Sequence, residues 1–299
     1  MNGGLNVLKP VGMTSHDVVD AVRRLAATRQ VGHAGTLDPG AAGVLVVCVE
    51  KATRITEFLS EADKEYRVEV AFGTATDTGD AYGQPIRTGE TGSLTEDRID
   101  EALADFRGEI EQVPPMASAV HVGGTRLYEA ARRGEMVEVP PRRVTVYALD
   151  LLAYNSLTAH AWLHVRCSKG TYIRRLCHDL GERLGCGGHA SFMVRTRVGR
   201  YRIEGAATLE ELTAAAADGR LDMLVESPGA ALADLPSVEL TAPQRQAVMH
   251  GQGIPLFRVP GWQQLMGAPL VCLSDATGLV AVARVEEGML KPFKVLRDA

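Results

Sequence analysis

Residues 31–49, VGHAGTLDPGAAGVLVVCV, constrain this chain more than any other stretch. The wholly apolar run 44–49 reads as a rigid strand, and the loop before it holds a single carboxylate, Asp38. Gly32, Gly35, Gly40 and Gly43 let a ligand come close to the backbone there. Pro39 biases Asp38 towards an extended conformation and removes a backbone donor, so the carboxylate is presented instead of being tucked into a helix. Gly-rich Asp-Pro turns are also ordinary connectors. The loop lacks the Lys-Ser or Lys-Thr of a phosphate loop and the glycine register of a dinucleotide site, so the rest of the chain must decide its chemistry.

At 299 residues the chain exceeds a typical single domain, and one large domain with a small one appended is expected. A hydrophobic fraction of 45% with 23% charged residues is that of a globular protein with an ample core. The sequence shows no apolar run of the roughly 20 residues a membrane span needs, and its start lacks a signal-peptide plan, so it reads as cytosolic. The five scattered cysteines fit reduced thiols. Cys177-His178 and Cys186-Gly-Gly-His189 offer four candidate zinc ligands, but adjacent Cys-His ligands are awkward for one tetrahedral ion and Cys177 falls on an apolar helix side; no metal is expected.

The net charge of -5 hides an uneven distribution: residues 121–202 hold 14 basic and 6 acidic side chains between acidic flanks. Such a block suits a local phosphate-binding surface, although charge clusters are often only solvated faces.

Taken in order, residues 5–9 read as a strand ending at Lys9-Pro10, before a helix capped by Ser15 with Val18, Val22 and Leu25 inward. A short helix is expected over 52–60. An alternating strand follows, with Tyr66, Val68, Val70 and Phe72 on one face; Tyr66 is either a core tyrosine or an aromatic platform at a cleft rim. Asp77 and Asp80 can cap their own turns or line a site entrance, and Ser93 with Glu96 suggests a capping box. The arginine-rich segment 121–143 reads as an extended arm with a short helix near 127–132. Strands are expected near 143–153 and 160–167, then a helix lined by Ile173, Leu176, Leu180 and Leu184 with Tyr172 and Arg174 in its first turn. Arg195, Arg197, Arg200 and Arg202 alternate with apolar residues as if aligned on one strand face. After a Gly/Pro/Ala-rich boundary at 214–236, a small β-rich module completes the chain.

From the residues alone this is an α/β enzyme or binding protein with one presented carboxylate and a basic flank. Four motifs in order, KPVGMTSHDVV, VGHAGTLDPGAAGVL, DKEYRVEVAFGTATDTGD and CSKGTYIRRLCHDLG, closely resemble the TruB family of tRNA pseudouridine synthases over about residues 5–213. The resemblance implies an α+β catalytic domain, 1–230, with a mixed, mainly antiparallel sheet flanked by helices and 121–143 as an RNA-binding arm. A PUA-like domain, 231–299, would follow. It implies isomerisation of uridine 55 in the tRNA T loop, by base flipping, with Asp38 as the catalytic aspartate. Tyr66 would pack on the target base, Arg174 pair with Asp38, and His33 hold the disrupted loop; Lys9 and Tyr172 would be supporting residues of the substrate-binding site. Met193 stands where the family usually has leucine, a volume-similar change that keeps the pocket wall apolar.

Breaking C1'–N1 and forming C1'–C5 involves no redox step, so no cofactor and no metal are expected. The arginines of 121–143 and 195–202, Arg142 and Arg195 among them, are the candidate phosphate contacts. The tRNA T stem-loop is the expected partner, bound by a monomer without a membrane or protein partner. A non-catalytic tRNA-binding or tRNA-folding protein using the same groove is the alternative. A glycosidic-bond hydrolase would call for a paired carboxylate that the sequence does not force.

Overall fold

The computed structural model describes residues 1–115, 121–122, 125–126 and 139–296. Most of the expected arm, including its helix near 127–132, lies outside the described residues. Among the described residues the largest element is a nine-stranded sheet. Its strands are β1 (Gly3–Lys9), β2 (Val31–His33), β3 (Ala41–Val49), β4 (Lys64–Phe72), β5 (Gly108–Gln112), β6 (Arg142–Asn155), β7 (His160–Cys167), β8 (Gly188–Val198) and β9 (Tyr201–Arg202). The main path runs β1-β3-β8-β4-β7-β6-β5, with β2 paired to β3 and β9 to β8. Every pairing is antiparallel except β3 with β8, where Met193, Val194 and Arg195 lie beside Ala41, Ala42 and Gly43. The mixed, mainly antiparallel α/β architecture is as expected.

Period-2 alternation along β4 puts Tyr66, Val68, Val70 and Phe72 into one core. Against that face pack α2 (Glu96–Leu103), through Ile99 and Leu103, and α3 (Ile173–Arg183), through Ile173, Leu176 and Leu180. On the other side α1 (Ser15–Leu25) buries Val18, Val19 and Val22 against β1 and β3, each valine contributing roughly 1.5–3 kcal/mol.

Two expected caps are corrected. Thr14, not Ser15, caps α1, in a reciprocal capping box with Asp17, and this frees Ser15 for a contact described below. Thr95, not Ser93, caps α2; Ser93 instead receives the Arg98 guanidinium. At 14–15 two adjacent hydroxyls compete for the cap, and at 93–96 Ser93 has the capping-box spacing to Glu96 while Thr95 caps with Arg98 three residues on, so spacing alone misleads.

A second, five-stranded sheet comprises β10 (Ser237–Glu239), β11 (Ile254–Pro255), β12 (Leu270–Asp275), β13 (Gly278–Glu286) and β14 (Met289–Val295), in the order β10-β12-β13-β14-β11. Cys272, Val282 and Leu296 from this part share a buried cluster with Val44, Val46 and Ile55 of the first, so the two sheets are joined by apolar packing. Among the described residues no helix is long and apolar enough to cross a membrane.

Candidate active site

Asp38 lies between β2 and β3, in a loop whose backbone is held by three residues from two distant parts of the chain. Ser15 at the start of α1 donates to the Leu37 carbonyl (3.0 Å) and accepts from the Leu37 N–H (2.8 Å). The Gly12 N–H donates to the Pro39 carbonyl (2.8 Å). Arg195 on β8 donates to the carbonyls of Gly35 (3.1 Å), Thr36 (3.1 Å) and Val44 (2.8 Å). The apolar β3 fixes the loop's exit, and Gly43 sits there with φ of 116° because a Cβ would strike the Arg195 backbone.

The Asp38 side chain is 37% exposed and is gripped from below by the buried Arg174. Arg174 Nε lies 2.9 Å from one carboxylate oxygen and Nη2 donates to the other at 3.3 Å, a two-point clasp that fixes the carboxylate plane. The same guanidinium donates to the Thr78 carbonyl (3.0 Å) and sits 3.4 Å from Asp80. Asp80 also accepts from the Thr78 hydroxyl and the Tyr82 N–H, so it anchors the arginine instead of facing substrate.

Above Asp38 opens a cleft of about 630 Å³, lined also by His33, Lys64, Tyr66, Tyr172, Met193 and Arg174. Tyr66 presents a buried ring, and burial pushes its phenol up to about 12. At pH 7 the phenol is neutral, so the ring packs and does not act as a standing base. Met193 supplies the expected apolar wall. Tyr172 is the residue preceding α3; its backbone N–H and C=O are both bonded by the buried Gln112 side chain (2.9 and 3.3 Å). Burial, aided by the nearby Arg195 charge, holds His33 below its ordinary value, and among the described residues its buried Nδ1 has no hydrogen-bond partner.

Two expected substrate contacts are corrected. Arg195 is 1% exposed and engaged with three backbone carbonyls, so it positions the Asp38 loop and is not a phosphate contact. The reason is a β-bulge: Arg195 pairs with Tyr66 and Arg197 with Glu65, adjacent residues on opposite faces of β4, so the arginines do not share a face. Arg197 is salt-bridged to Glu65 (2.9 Å) and Arg200 lies 3.6 Å from Glu226. Lys9 is fully buried and donates to the carbonyls of Pro10 (2.9 Å), Met13 (2.7 Å) and Pro39 (3.5 Å); burial pulls it down to about 8. It braces the loop from beneath, outside the cleft lining.

Arg142 is exposed at the start of β6, in register with Gln112 and hence beside the Tyr172 rim. The suspected zinc ligands do not converge. Cys177 is a core residue and His189 bonds the Thr74 carbonyl (2.8 Å); among the described residues no group of three or more His, Cys, Asp or Glu could hold a metal. Ser15, Lys64 and Gln112 are site residues that sequence reasoning missed, and Asp80, offered as a turn cap or a residue at the site entrance, does its work by holding Arg174.

A single exposed carboxylate clasped by an arginine, with an aromatic and a thioether wall, marks a catalyst that works by nucleophilic or acid–base chemistry on one bound group. Comparison with known proteins specifies the chemistry. Residues 23–173 match the TruB family pseudouridylate synthase N-terminal domain, and residues 174–233 the tRNA pseudouridylate synthase B C-terminal domain. The tRNA pseudouridine synthase B of Pelotomaculum thermopropionicum is 46% identical over 98% of this chain and 93% of its own, and that of Geobacillus thermodenitrificans 42% identical over 99% and 100%. Among solved structures, a Cbf5-Nop10-Gar1 complex superposes with a TM-score of 0.76 at 28% identity, covering 99% of this chain and 85% of that one. An H/ACA RNP bound to a substrate RNA containing 2'-deoxyuridine gives 0.73 at 26%, with 99% and 85% covered. The chain belongs to the TruB family of pseudouridylate synthases. It is an isomerase that converts uridine in tRNA to pseudouridine.

Proposed function

We propose that the enzyme acts on uridine 55 in the T loop of tRNA, that it flips this nucleotide into the cleft, and that Asp38 is the residue that starts the isomerisation. The arginine clasp carries this reading: the buried Arg174, itself anchored by Thr78 and Asp80, holds the half-exposed Asp38 carboxylate at the mouth of a cleft. Attack on C1', addition to the base and removal of the C2' proton all begin from an aspartate oxygen fixed in this way. Tyr66 and Met193 form the slot for the uracil ring, one as a neutral aromatic face and the other as an adaptable apolar wall.

Extruding a stacked base costs a few kcal/mol, and binding elsewhere must offset it. His33 supplies one contact: its half-buried ring, held below its ordinary value and so neutral, lines the cleft wall against which the opened loop would rest. Tyr172 lines the same rim, and Arg142 beside it meets a phosphate with the arm of 121–143. The enzyme is proposed to act as a monomer without a protein partner. Residues 231–299, which hold the second sheet, are proposed to be a PUA-like RNA-binding module.

The test is pseudouridine formation at position 55 of an unmodified tRNA transcript in metal-free buffer, wild type against Asp38→Asn. Product from the wild type and none from a variant that still binds tRNA is the expected result. Equal product from both would remove Asp38 from the chemistry, and binding without product in either would leave a tRNA-binding protein.

A further inference from the structure

Lys64 is a buried cation in the cleft wall that the reading above does not use. It opens β4, is 7% exposed and lines the cleft with Ser60, Tyr66, Thr171 and Tyr172. Its ammonium donates to the Ser60 carbonyl at 2.5 Å, leaving two of three donor hydrogens without a protein acceptor among the described residues. It has no carboxylate partner there either.

The charged neighbours are committed elsewhere or of the wrong sign. Glu61 is salt-bridged to the exposed Lys169, and Asp63 faces Arg166 at 3.8 Å. From β7 the partner in register is Cys167, whose thiol burial pushes up to about 12; on β4 the Tyr66 phenol is likewise neutral. From β8 comes Arg195, a like charge. A buried ammonium whose nearby anions, Glu61 and Asp63, are already paired with other cations is an expensive arrangement unless something anionic completes it. The anionic groups a uridine in RNA brings into a cleft are its two flanking phosphates; the uracil carbonyls are neutral.

We propose that Lys64 is a substrate-binding residue whose ammonium receives one backbone phosphate flanking the target uridine. The inference rests on the cleft being the uridine site, as proposed above. It makes this contact different in kind from surface arginines: the salt bridge forms out of solvent, and it forms only when the nucleotide has entered.

The experiment is a cycle between protein and RNA. T stem-loop RNAs carry a methylphosphonate, neutral and of similar shape, at the linkage 5' or 3' of the target uridine, with 2'-deoxyribose on the 5' side of that linkage. Each is compared with the same RNA bearing an ordinary phosphate, and Kd is read for the wild type and for Lys64→Met, which keeps the stem length. Lys64→Met should weaken binding of the phosphate RNA ten- to a hundredfold. At one linkage the methylphosphonate should cost the wild type a similar factor and cost Lys64→Met nothing further. Factors that multiply at both linkages, or a variant that binds as tightly as the wild type, would overturn the proposal.

If circular dichroism shows that Lys64→Met does not fold, the wild type alone decides. Burial pulls Lys64 down to about 8, so affinity for the phosphate RNA should fall between pH 7 and 9.5, while at the contacted linkage affinity for the methylphosphonate RNA stays flat. Equal declines for phosphate and methylphosphonate RNA at both linkages would overturn it. Pseudouridine formation by the wild type on a full tRNA is run alongside. Its absence refutes the functional reading, whereas its presence with independent factors refutes only the Lys64 contact.

Discussion

Replacing Arg195 with methionine separates two roles an arginine can play in an RNA enzyme. Its guanidinium makes three hydrogen bonds, to the carbonyls of Gly35, Thr36 and Val44, from a position 1% exposed to solvent. Bonds to a charged donor contribute about 1.5–3 kcal/mol each, and Thr36, which is exposed, can recover part of its loss from water. The expected cost is about 3–5 kcal/mol, or a fall in Tm of roughly 6–10 °C. With the loop released on one side, Asp38 leaves the Arg174 clasp for part of the time, and the single-turnover rate at saturating enzyme should fall by at least ~10²-fold, the scale set by angstrom-sized misplacement of a reacting group. Kd for tRNA and its dependence on salt should change little, because no phosphate contact has been removed. The assay is single-turnover pseudouridine formation beside filter binding at several salt concentrations. An unchanged rate together with weaker, less salt-sensitive binding would refute the reasoning and return Arg195 to the phosphate contacts.

Gly43→Ala should harm the same device by a different route. Its Cβ would lie 2.2 Å from the Arg195 carbonyl oxygen at a φ of 116°, so a loss of about 3 kcal/mol or more in urea denaturation is expected, with activity falling alongside. His33 titrates below its ordinary 6.5, so the unfolded chain takes up the proton first; stability present above that pH drains away as pH falls below it, and His33→Gln should show a smaller drop in urea midpoint between pH 7.5 and 5.5. Lys64 is held at about 8 against 10.5 in the unfolded chain, so the cost of burying its charge is fully present below pH 8 and recovered as pH rises towards 10.5. Lys64→Met should therefore be more stable than the wild type at pH 7, by about 2–3 kcal/mol, and the advantage should vanish near pH 10.5 in denaturation curves.

The parts of this fold legible in the sequence are those where one period covers a whole element. The alternation from Tyr66 to Phe72 and the stripe from Ile173 to Leu180 follow from which side chains must be buried together, and both elements lie where expected. Strands of two or three residues, such as Ser237–Glu239 and Ile254–Pro255, show no period at all and were not found. In the site, the presentation of Asp38 was readable from its loop, but its partner is 136 residues away and came from motif resemblance, not from any local rule. Arg195 and Arg197 misled for a definite reason. A bulge adds one residue to one strand without a local marker, and every side chain beyond it changes face.

The order of strands across the large sheet bears on how the protein is made. β8 lies between β3 and β4, yet it begins at Gly188, long after both have been synthesised. Until it arrives, a β1–β3 half and a β4–β7–β6–β5 half each present an unpaired edge, and the apolar β3 is the type of edge that recruits other chains. β8 also brings Arg195, without which the Asp38 loop lacks its main support. One late strand therefore closes the sheet and braces the Asp38 loop in the same event, so, on the role proposed for Asp38, a nascent chain cannot become active before its sheet is sealed.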